Sequence, residues 1–265
     1  WPNPISQAKL AGATPVEVPM PAESGFAPDP DRILEAIGPE TAAVLLTTPS
    51  NPTGRVFPRA AVERVVAAAA EHGAYVLADE VYRQLTYGET PPRVAAVARE
   101  SGAGEWVLSV GSVSKAYAMT GWRVGWLTGP ADVCSRVTTV HESTTSCVNT
   151  PAQHAAVAAL AGPQDPVREM KRAFRERRDY VVDRLADIPR VSAPRPEGAF
   201  YAFVDVSALD GTSDEVARRL LAEYGVVTAP GTAFGAGGED HLRLSFANGR
   251  DRLEDGLDRF EEMVR

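Results

Sequence analysis

Two serines, a lysine and an arginine stand close together just after a predicted strand. Ser112 and Ser114 precede Lys115, and Arg123 follows the lysine. Hydroxyl and guanidinium groups beyond the carboxyl end of a strand suit an anion such as phosphate. A lysine that is partly desolvated beside other cations has a lowered pKa, so its amine is a usable nucleophile. Taken alone, a lysine is more often a solvated surface group.

Two other polar segments also follow predicted strands. Asn51-Pro52-Thr53-Gly54 comes after one strand, and alone it is typical of a turn. Asp79-Glu80-Val81-Tyr82 comes after another, and alone Asp79 could cap a helix. Ligands of an open α/β sheet bind at the carboxyl ends of its strands. We therefore expect the three segments to share one site.

The combined set of side chains matches the chemical needs of pyridoxal 5′-phosphate. That cofactor presents an aldehyde to a lysine, a pyridine nitrogen to an acid and a phenolic oxygen to polar donors. Its phosphate suits arginine, serine and backbone N–H groups. The sequence therefore predicts a pyridoxal 5′-phosphate site with a candidate residue for each of these contacts.

Short apolar strands alternate with helices in the first part of the chain, which predicts an α/β fold with a mostly parallel sheet. The predicted strands are Pro15–Val18, Ala43–Thr47, Tyr75–Ala78, Trp106–Val110 and Val124–Leu127. Apolar spacing over Arg59–His72 predicts a helix that ends at Gly73.

Strong turn signals between residues 162 and 166 separate a second part of the chain. This part mixes helices with strands, and the predicted elements are Pro166–Leu185, Phe200–Val204, Ser213–Tyr224, Val226–Thr228, Leu242–Phe246 and Leu253–Val264. We therefore predict a large domain over residues 1–165 and a smaller α+β domain over residues 166–265.

Composition argues against several classes of protein. The net charge is −8 and the isoelectric point is about 5.1, so we expect no nucleic-acid partner and no acidic membrane surface. Four scattered histidines show no metal-ligand spacing, so no metal is predicted. Two cysteines are too few for a disulfide framework. Without an apolar span or a signal peptide, a cytoplasmic protein is expected.

The chain resembles the class I, aspartate aminotransferase-like, pyridoxal-phosphate-dependent aminotransferases of fold type I. Besides the Asn51 and Asp79 segments, the matching motifs run in the family's order through Ser112–Gly125, Pro196–Tyr201, Pro230–Gly235 and Leu242–Phe246. They cover essentially the whole chain, and the lysine block with its arginine is the most specific of them. The fold implied is an α/β/α sandwich with a mostly parallel sheet plus a smaller C-terminal α+β domain.

The resemblance implies a role for each candidate residue. Lys115 holds the cofactor as an aldimine and shuttles the proton, while Asp79 keeps the pyridine nitrogen protonated. Tyr82 and Asn51 hydrogen-bond the phenolic oxygen. Ser112, Ser114 and Arg123 bind the phosphate, and Trp1 stacks on the cofactor ring. Arg243 binds the substrate carboxylate, and Asn51 also lies near the substrate.

The resemblance also implies a reaction and an assembly. The amino group of an α-amino acid passes to a 2-oxo acid by a ping-pong mechanism, in amino acid metabolism and in a homodimer. The chain starts at Trp1 without a methionine, and an N-terminal part of the large domain is expected to be missing. Because that part contributes to side-chain recognition, the sequence does not name the amino acid.

Two other functions share the same cofactor residues. One is a carbon–sulfur or other β-eliminating lyase of the same fold, which releases the amino group as ammonia instead of transferring it to a 2-oxo acid. The other is the effector-sensing domain of an aminotransferase-like transcription regulator. A serine acyl-enzyme would use the Ser112-to-Lys115 spacing, but its Ser-Asp-Asn and Lys-Thr-Gly partners do not occur.

Overall fold

The computed structural model describes residues 1–265, which form two compact units. The central unit contains Pro28–Pro49 and Val56–Arg172, and the C-terminal unit contains Trp1–Ala27, Ser50–Arg55 and Ala173–Arg265. Residues 1–27 and 50–55 thus group with the C-terminal part of the chain. The predicted division assigns these residues to the large domain instead. The domain boundary near residue 165 stays a prediction.

The central unit is built around a four-stranded sheet. Its strands are β1 (Ala43–Thr47), β2 (Tyr75–Asp79), β3 (Val107–Ser112) and β4 (Gly125–Thr128), and its helices are α2 (Pro30–Glu35), α3 (Arg59–Glu71), α4 (Val94–Glu100), α5 (Ala131–Thr145) and α6 (Thr150–Ala161). The first three strands are parallel neighbours in chain order, and β4 pairs antiparallel with β3. The parallel strands therefore present their carboxyl ends at one edge.

Helix α3 supplies much of the apolar contact to this sheet. Val62, Val65, Val66 and Ala69 are buried at helical spacing, so one face of α3 is apolar and lies against β2. Gly73 follows the helix with φ +69°, the left-handed conformation that ends helices. The predicted helix and its glycine stop are confirmed.

The C-terminal unit is built around a three-stranded antiparallel sheet in the order β5-β7-β6. Its elements are α1 (Asn3–Leu10), β5 (Tyr201–Asp205), α8 (Ser213–Tyr224), β6 (Ala229–Pro230), β7 (His241–Ser245) and α9 (Arg250–Val264). Helix α7 (Asp165–Asp187) includes residues of both units. Because β7 is the middle strand, its residues are held by ladders on both sides.

The helices of the C-terminal unit follow their sequence signals closely. Thr212 and Glu215 form a reciprocal capping box at the start of α8, and Gly225 ends that helix with φ +68°. Helix α9 buries Leu253, Leu257 and two further apolar residues along one face. Helix α8 lies against β6 and β7, the strand that carries Arg243, and α9 lies against α8.

Two predictions about strands were wrong. No strand forms at Pro15–Val18, where the chain is attached through a side chain instead: Glu17 Oε2 accepts a hydrogen bond from Ala236 N at 2.9 Å. The second wrong prediction is the strand at Val226–Thr228, because the structure forms only the two-residue strand β6 (Ala229–Pro230) directly after it. Strand β4 pairs antiparallel with β3, and the connection between them contains only a short 3₁₀ helix, Thr120–Trp122, and no crossover α-helix. The prediction of an α/β fold with a mostly parallel sheet is confirmed. No helix combines the length and apolar character that crossing a bilayer requires.

Candidate active site

Asp79 lies at the carboxyl end of β2, within electrostatic reach of Lys115. In the sheet register Asp79 is opposite Val110 of β3. Burial raises the pKa of Asp79 above its usual value, while a hydrogen bond from Val81 N (3.2 Å) and the positive charge of Lys115 lower it. A partly buried carboxylate of this kind is stabilised by a cation beside it. The predicted imine lysine and the predicted partner of the ring nitrogen are therefore close enough to interact electrostatically.

Lys115 lies in the loop after β3, with its amine over an aromatic ring. Its Nζ is 5.6 Å from the centroid of the Tyr82 ring, and Tyr82 is only 4% exposed. Val113 and Ala116, which flank the lysine, are completely buried and anchor the loop. The Lys115 amine thus lies beside the Tyr82 ring, and the residue is partly shielded from water.

Ser112 and Ser114 form a small group of hydroxyls at the end of β3. Their Oγ atoms are 2.8 Å apart, and Ser114 N donates to Ser112 Oγ at 3.0 Å. Ser112 Oγ is also 2.8 Å from the carbonyl oxygen of Val124, the residue next to Arg123. The structure therefore brings the two serines together, and it brings them to the backbone that carries the arginine.

Arg123 is exposed and is one of the residues that line a cavity. Its backbone has φ +54°, and its Nη1 donates to Thr120 O at 2.8 Å instead of to a serine. The cavity has a volume of about 560 Å³, and Trp122, His141 and Asn149 also line it. The guanidinium is thus near the serines in the chain but is not hydrogen-bonded to them.

Arg243, on the middle strand of the other unit, is held between two aromatic rings. The guanidinium carbon is 4.5 Å from the Tyr201 ring centroid and 4.7 Å from that of Phe234. Its Nη1 donates to Asn51 Oδ1 at 3.0 Å. Its Nε is buried without a hydrogen-bond partner, an arrangement that leaves a donor for a carboxylate. The rings fix the plane of the guanidinium, so the site suits planar, two-point recognition.

Asn51 and Trp1 lie in the same unit as Arg243. Asn51 is 7% exposed, and besides its bond to Arg243 its carbonyl oxygen accepts from the Trp1 backbone nitrogen at 3.1 Å. The Trp1 side chain is 49% exposed. The predicted role of Asn51 at a phenolic oxygen, and that of Trp1 in ring stacking, stay predictions.

A glycine contact explains why the Asn51 loop has its sequence. Gly54 has φ +68°, and a Cβ there would lie 2.5 Å from Pro196 Cβ and 2.8 Å from Gly198 O. The carbonyl oxygen of Gly54 accepts N–H groups from Glu197 and Gly198. Two motifs far apart in sequence are thus packed backbone to backbone, and Asn51 is fixed by that packing.

Three positioning residues were missed by reasoning from the sequence. The sequence indicates Tyr201 and Phe234 only as parts of motifs, although their rings lie beside the Arg243 guanidinium. Glu80 is 5% exposed and its Oε1 accepts from Val94 N at 3.2 Å, so it ties the Asp79 segment to the start of α4. Burial raises the pKa of Glu80. For Tyr201 and Phe234 the sequence signal is an aromatic residue within a motif, and such a residue does not indicate which side chain it contacts.

Comparison with known proteins identifies relatives along the whole chain. The pattern of the family described as "Aminotransferase class I and II" matches residues 1–259. The aspartate aminotransferase of Geobacillus stearothermophilus is 36% identical over 270 residues, covering all of this chain and 68% of that protein. The aspartate/prephenate aminotransferase of Thermus thermophilus is 38% identical, with 67% of its length covered. The chain thus spans about two thirds of these relatives.

Solved structures give the same result. The Thermus thermophilus aspartate aminotransferase with maleate superimposes on the whole chain with a TM-score of 0.92 at 37% identity, over 68% of its own length. The aromatic aminotransferase of Pyrococcus horikoshii superimposes on 96% of the chain with a TM-score of 0.91 at 32% identity, also over 68% of its own length. These names favour transfer over the lyase and regulator alternatives. The chain belongs to the class I and II aminotransferases.

Proposed function

We propose that the chain binds pyridoxal 5′-phosphate through the central unit and moves the amino group of an α-amino acid to a 2-oxo acid. The observation that carries the proposal is the grouping of Lys115, Tyr82 and Asp79, an amine over a buried phenol and beside a carboxylate. The two serine hydroxyls beside this group suit a phosphate. The donor set therefore fits the cofactor's aldehyde, ring nitrogen and phosphate.

The residues of the central unit have separate tasks in this proposal. The cofactor, when bound, supplies an aldehyde that takes up the amino group and a ring that withdraws electrons from the α-carbon. Asp79 holds a proton on the ring nitrogen, and Tyr82 holds the phenolic oxygen. Lys115 carries a proton to and from the α-carbon as general base. Ser112, Ser114 and Arg123 bind the phosphate.

The C-terminal unit binds the substrate in this proposal. Arg243 takes the α-carboxylate as a two-point pair that uses its unpaired Nε, while Tyr201 and Phe234 keep the guanidinium plane fixed. Asn51 holds Nη1 in place. Because the named relatives include aspartate aminotransferases, aspartate is the first amino acid to test as the donor to a 2-oxo acid.

A second copy of this chain is the partner that we propose. Helix α5 has no buried residue along its 15 positions, and α6 has apolar residues on all sides. Val140 is 62% exposed and Val157 is 63% exposed on these helices. An apolar surface of this kind is typical of a subunit contact.

An absorbance experiment tests the cofactor and the first half of the reaction together. We expect the purified protein to turn yellow with pyridoxal 5′-phosphate and to lose the yellow band when an amino acid is added. Lys115→Ala should lack that band and lose nearly all turnover. Near-normal turnover of Lys115→Ala would remove Lys115 from the mechanism, and elimination products in place of a 2-oxo acid would favour the lyase.

A further inference from the structure

Tyr117 makes a second connection between the Lys115 loop and the segment that carries Tyr82. Its hydroxyl oxygen is 3.2 Å from Gln84 Nε2 and 2.9 Å from Gln164 Oε1. Gln84 lies in the 3₁₀ helix Arg83–Leu85, which starts directly after Tyr82. Neither Tyr117 nor either glutamine was assigned a role from the sequence.

The direction of these hydrogen bonds follows from the acceptors at one end. Gln164 Nε2 lies 2.8 Å from Gly162 O and 3.0 Å from Ala159 O at the end of α6, and carbonyl groups only accept. The Gln164 amide oxygen is therefore free to accept, so the Tyr117 hydroxyl donates to it. The phenol oxygen then accepts from Gln84. Each polar group in the chain has one compatible role, which makes the arrangement specific.

The Lys115 loop and the Tyr82 segment touch at two places, which are two residues apart along each segment. Lys115 lies over Tyr82, and Tyr117 is bonded to Gln84, two residues further along each segment. Between the two contacts, the completely buried Ala116 fixes the loop. The second contact is therefore connected to the first through a single buried residue.

We propose that Tyr117 is a positioning residue, which sets the distance between the Lys115 amine and the Tyr82 phenol through its bonds to Gln84 and Gln164. The inference rests on the proposed function, since it concerns the amine that captures the cofactor. Its hydroxyl does not touch a substrate. It acts through the loop, and its loss leaves both glutamines without their partner.

Two ligands separate positioning of the amine from general support of the site. Pyridoxal 5′-phosphate joins its aldehyde carbon to the Lys115 nitrogen and releases one water, so its affinity depends on where the amine lies. Pyridoxamine 5′-phosphate has no aldehyde and forms no bond to the lysine. Tyr117→Phe removes the hydroxyl that pairs with both glutamines, so we expect it to weaken the aldehyde ligand about 10-fold and the amine ligand less than about 2-fold. Fluorescence titration measures both.

Three further variants make the test specific. Tyr75→Phe is the matched control, because Tyr75 starts the strand that Asp79 ends and packs on Trp106; its affinities should match those of the wild type. Gln84→Met should reproduce Tyr117→Phe, and it takes its place if Tyr117→Phe does not fold. In a Lys115→Ala background, Tyr117→Phe should have no further effect on the aldehyde ligand.

The outcomes distinguish this inference from the proposed function. If wild-type protein binds the aldehyde ligand no better than Lys115→Ala does, the proposed function fails. If wild-type binding depends on Lys115 but Tyr117→Phe and Gln84→Met both leave it unchanged, the inference alone is wrong. Equal weakening of both ligands, with a lowered melting temperature, would assign Tyr117 a structural role and overturn the inference as well.

Discussion

At the scale of single residues, Arg243 and Asp79 are two partly buried groups of opposite charge. Two rings and an amide hold the Arg243 guanidinium in one plane, and its Nε stays unpaired. Asp79 has a raised pKa because burial disfavours its charged form. A ligand of opposite charge would therefore stabilise the charged form of each residue, as expected of groups that bind ions.

Asp79→Asn should separate stability from activity. The raised pKa means that ionising Asp79 destabilises the folded protein; this effect is absent below the unfolded pKa of about 4 and complete above the folded pKa. We expect the cofactor-free variant to melt about 2–4 °C higher at pH 7, which is about 1 kcal/mol. At pH 3 the difference should vanish. Scanning calorimetry at both pH values measures this, and an equal gain at pH 3 would contradict the charge argument.

The same substitution should be harmful once the cofactor is bound. The amide of Asp79→Asn can still accept from Val81 N, but it cannot stabilise a proton on a ring nitrogen. We expect turnover to fall about 100-fold or more, as when a preorganised charge is removed from an active site. Steady-state kinetics with saturating cofactor measure the loss, and unchanged kinetics would discredit the role of Asp79.

Arg243→Lys should damage substrate binding although it keeps the charge. Lysine has neither the planar fork nor the shape that packs between Tyr201 and Phe234. We expect kcat/KM for the amino acid to fall about 100-fold, mostly through KM. Arg184→Lys is the control, because Arg184 pairs with Asp258 and Glu261 on α9 and should leave the kinetics unchanged. A loss of less than about 3-fold in Arg243→Lys would argue against the clamp.

At the scale of elements, the close packing of the Asn51 loop gives a stability prediction. Gly54→Ala puts a Cβ into the space of Pro196 and strains a left-handed backbone, so we expect a loss of about 2–4 kcal/mol. Gly256→Ala is the control: it lies inside α9 with open space around it, and should gain about 0.5–1 kcal/mol. Denaturant titration measures both, and a neutral Gly54→Ala would mean that the two motifs separate easily.

The elements with a clear apolar period were predictable, and the others were not. Helices α3 and α8 and strands β1 to β3 follow from burial patterns and stop signals that are local in sequence. Helix α5 has no buried residue, and its valines stand among many hydroxyl and charged residues, so its apolar period is weak. The Pro15–Val18 segment has the residue types of a strand, but it forms none and is attached through the Glu17 side chain.

The same distinction applies to the site. Lys115, Asp79 and Arg243 could be named because their types and motifs carry the chemistry. The residues that hold them could not, because Gln84 with Tyr117, and Tyr201 with Arg243, meet only through tertiary packing. A hydroxyl or ring in a motif does not reveal which distant residue it contacts.

At the scale of the whole molecule, the exposed valines of helices α5 and α6 give a prediction about assembly. We expect light scattering to find a dimer, and Val140→Asp to shift it toward monomer by at least about 10-fold in dissociation constant, because it puts a charge into an apolar contact. Val227→Asp is the control, since Val227 is 77% exposed but lies in the other unit. A wild-type monomer at high concentration would rule out this surface as a subunit contact.

The discontinuous make-up of the C-terminal unit has a consequence for synthesis on the ribosome. Residues 1–27 belong with a segment that starts about 150 residues later in the chain. At ribosomal speed the early segment waits roughly 10–30 s before its partners emerge. Its apolar residues, Phe26 among them, stay in water during that interval. Nascent chains should therefore be most vulnerable to proteases and to aggregation until residues 173–265 have emerged.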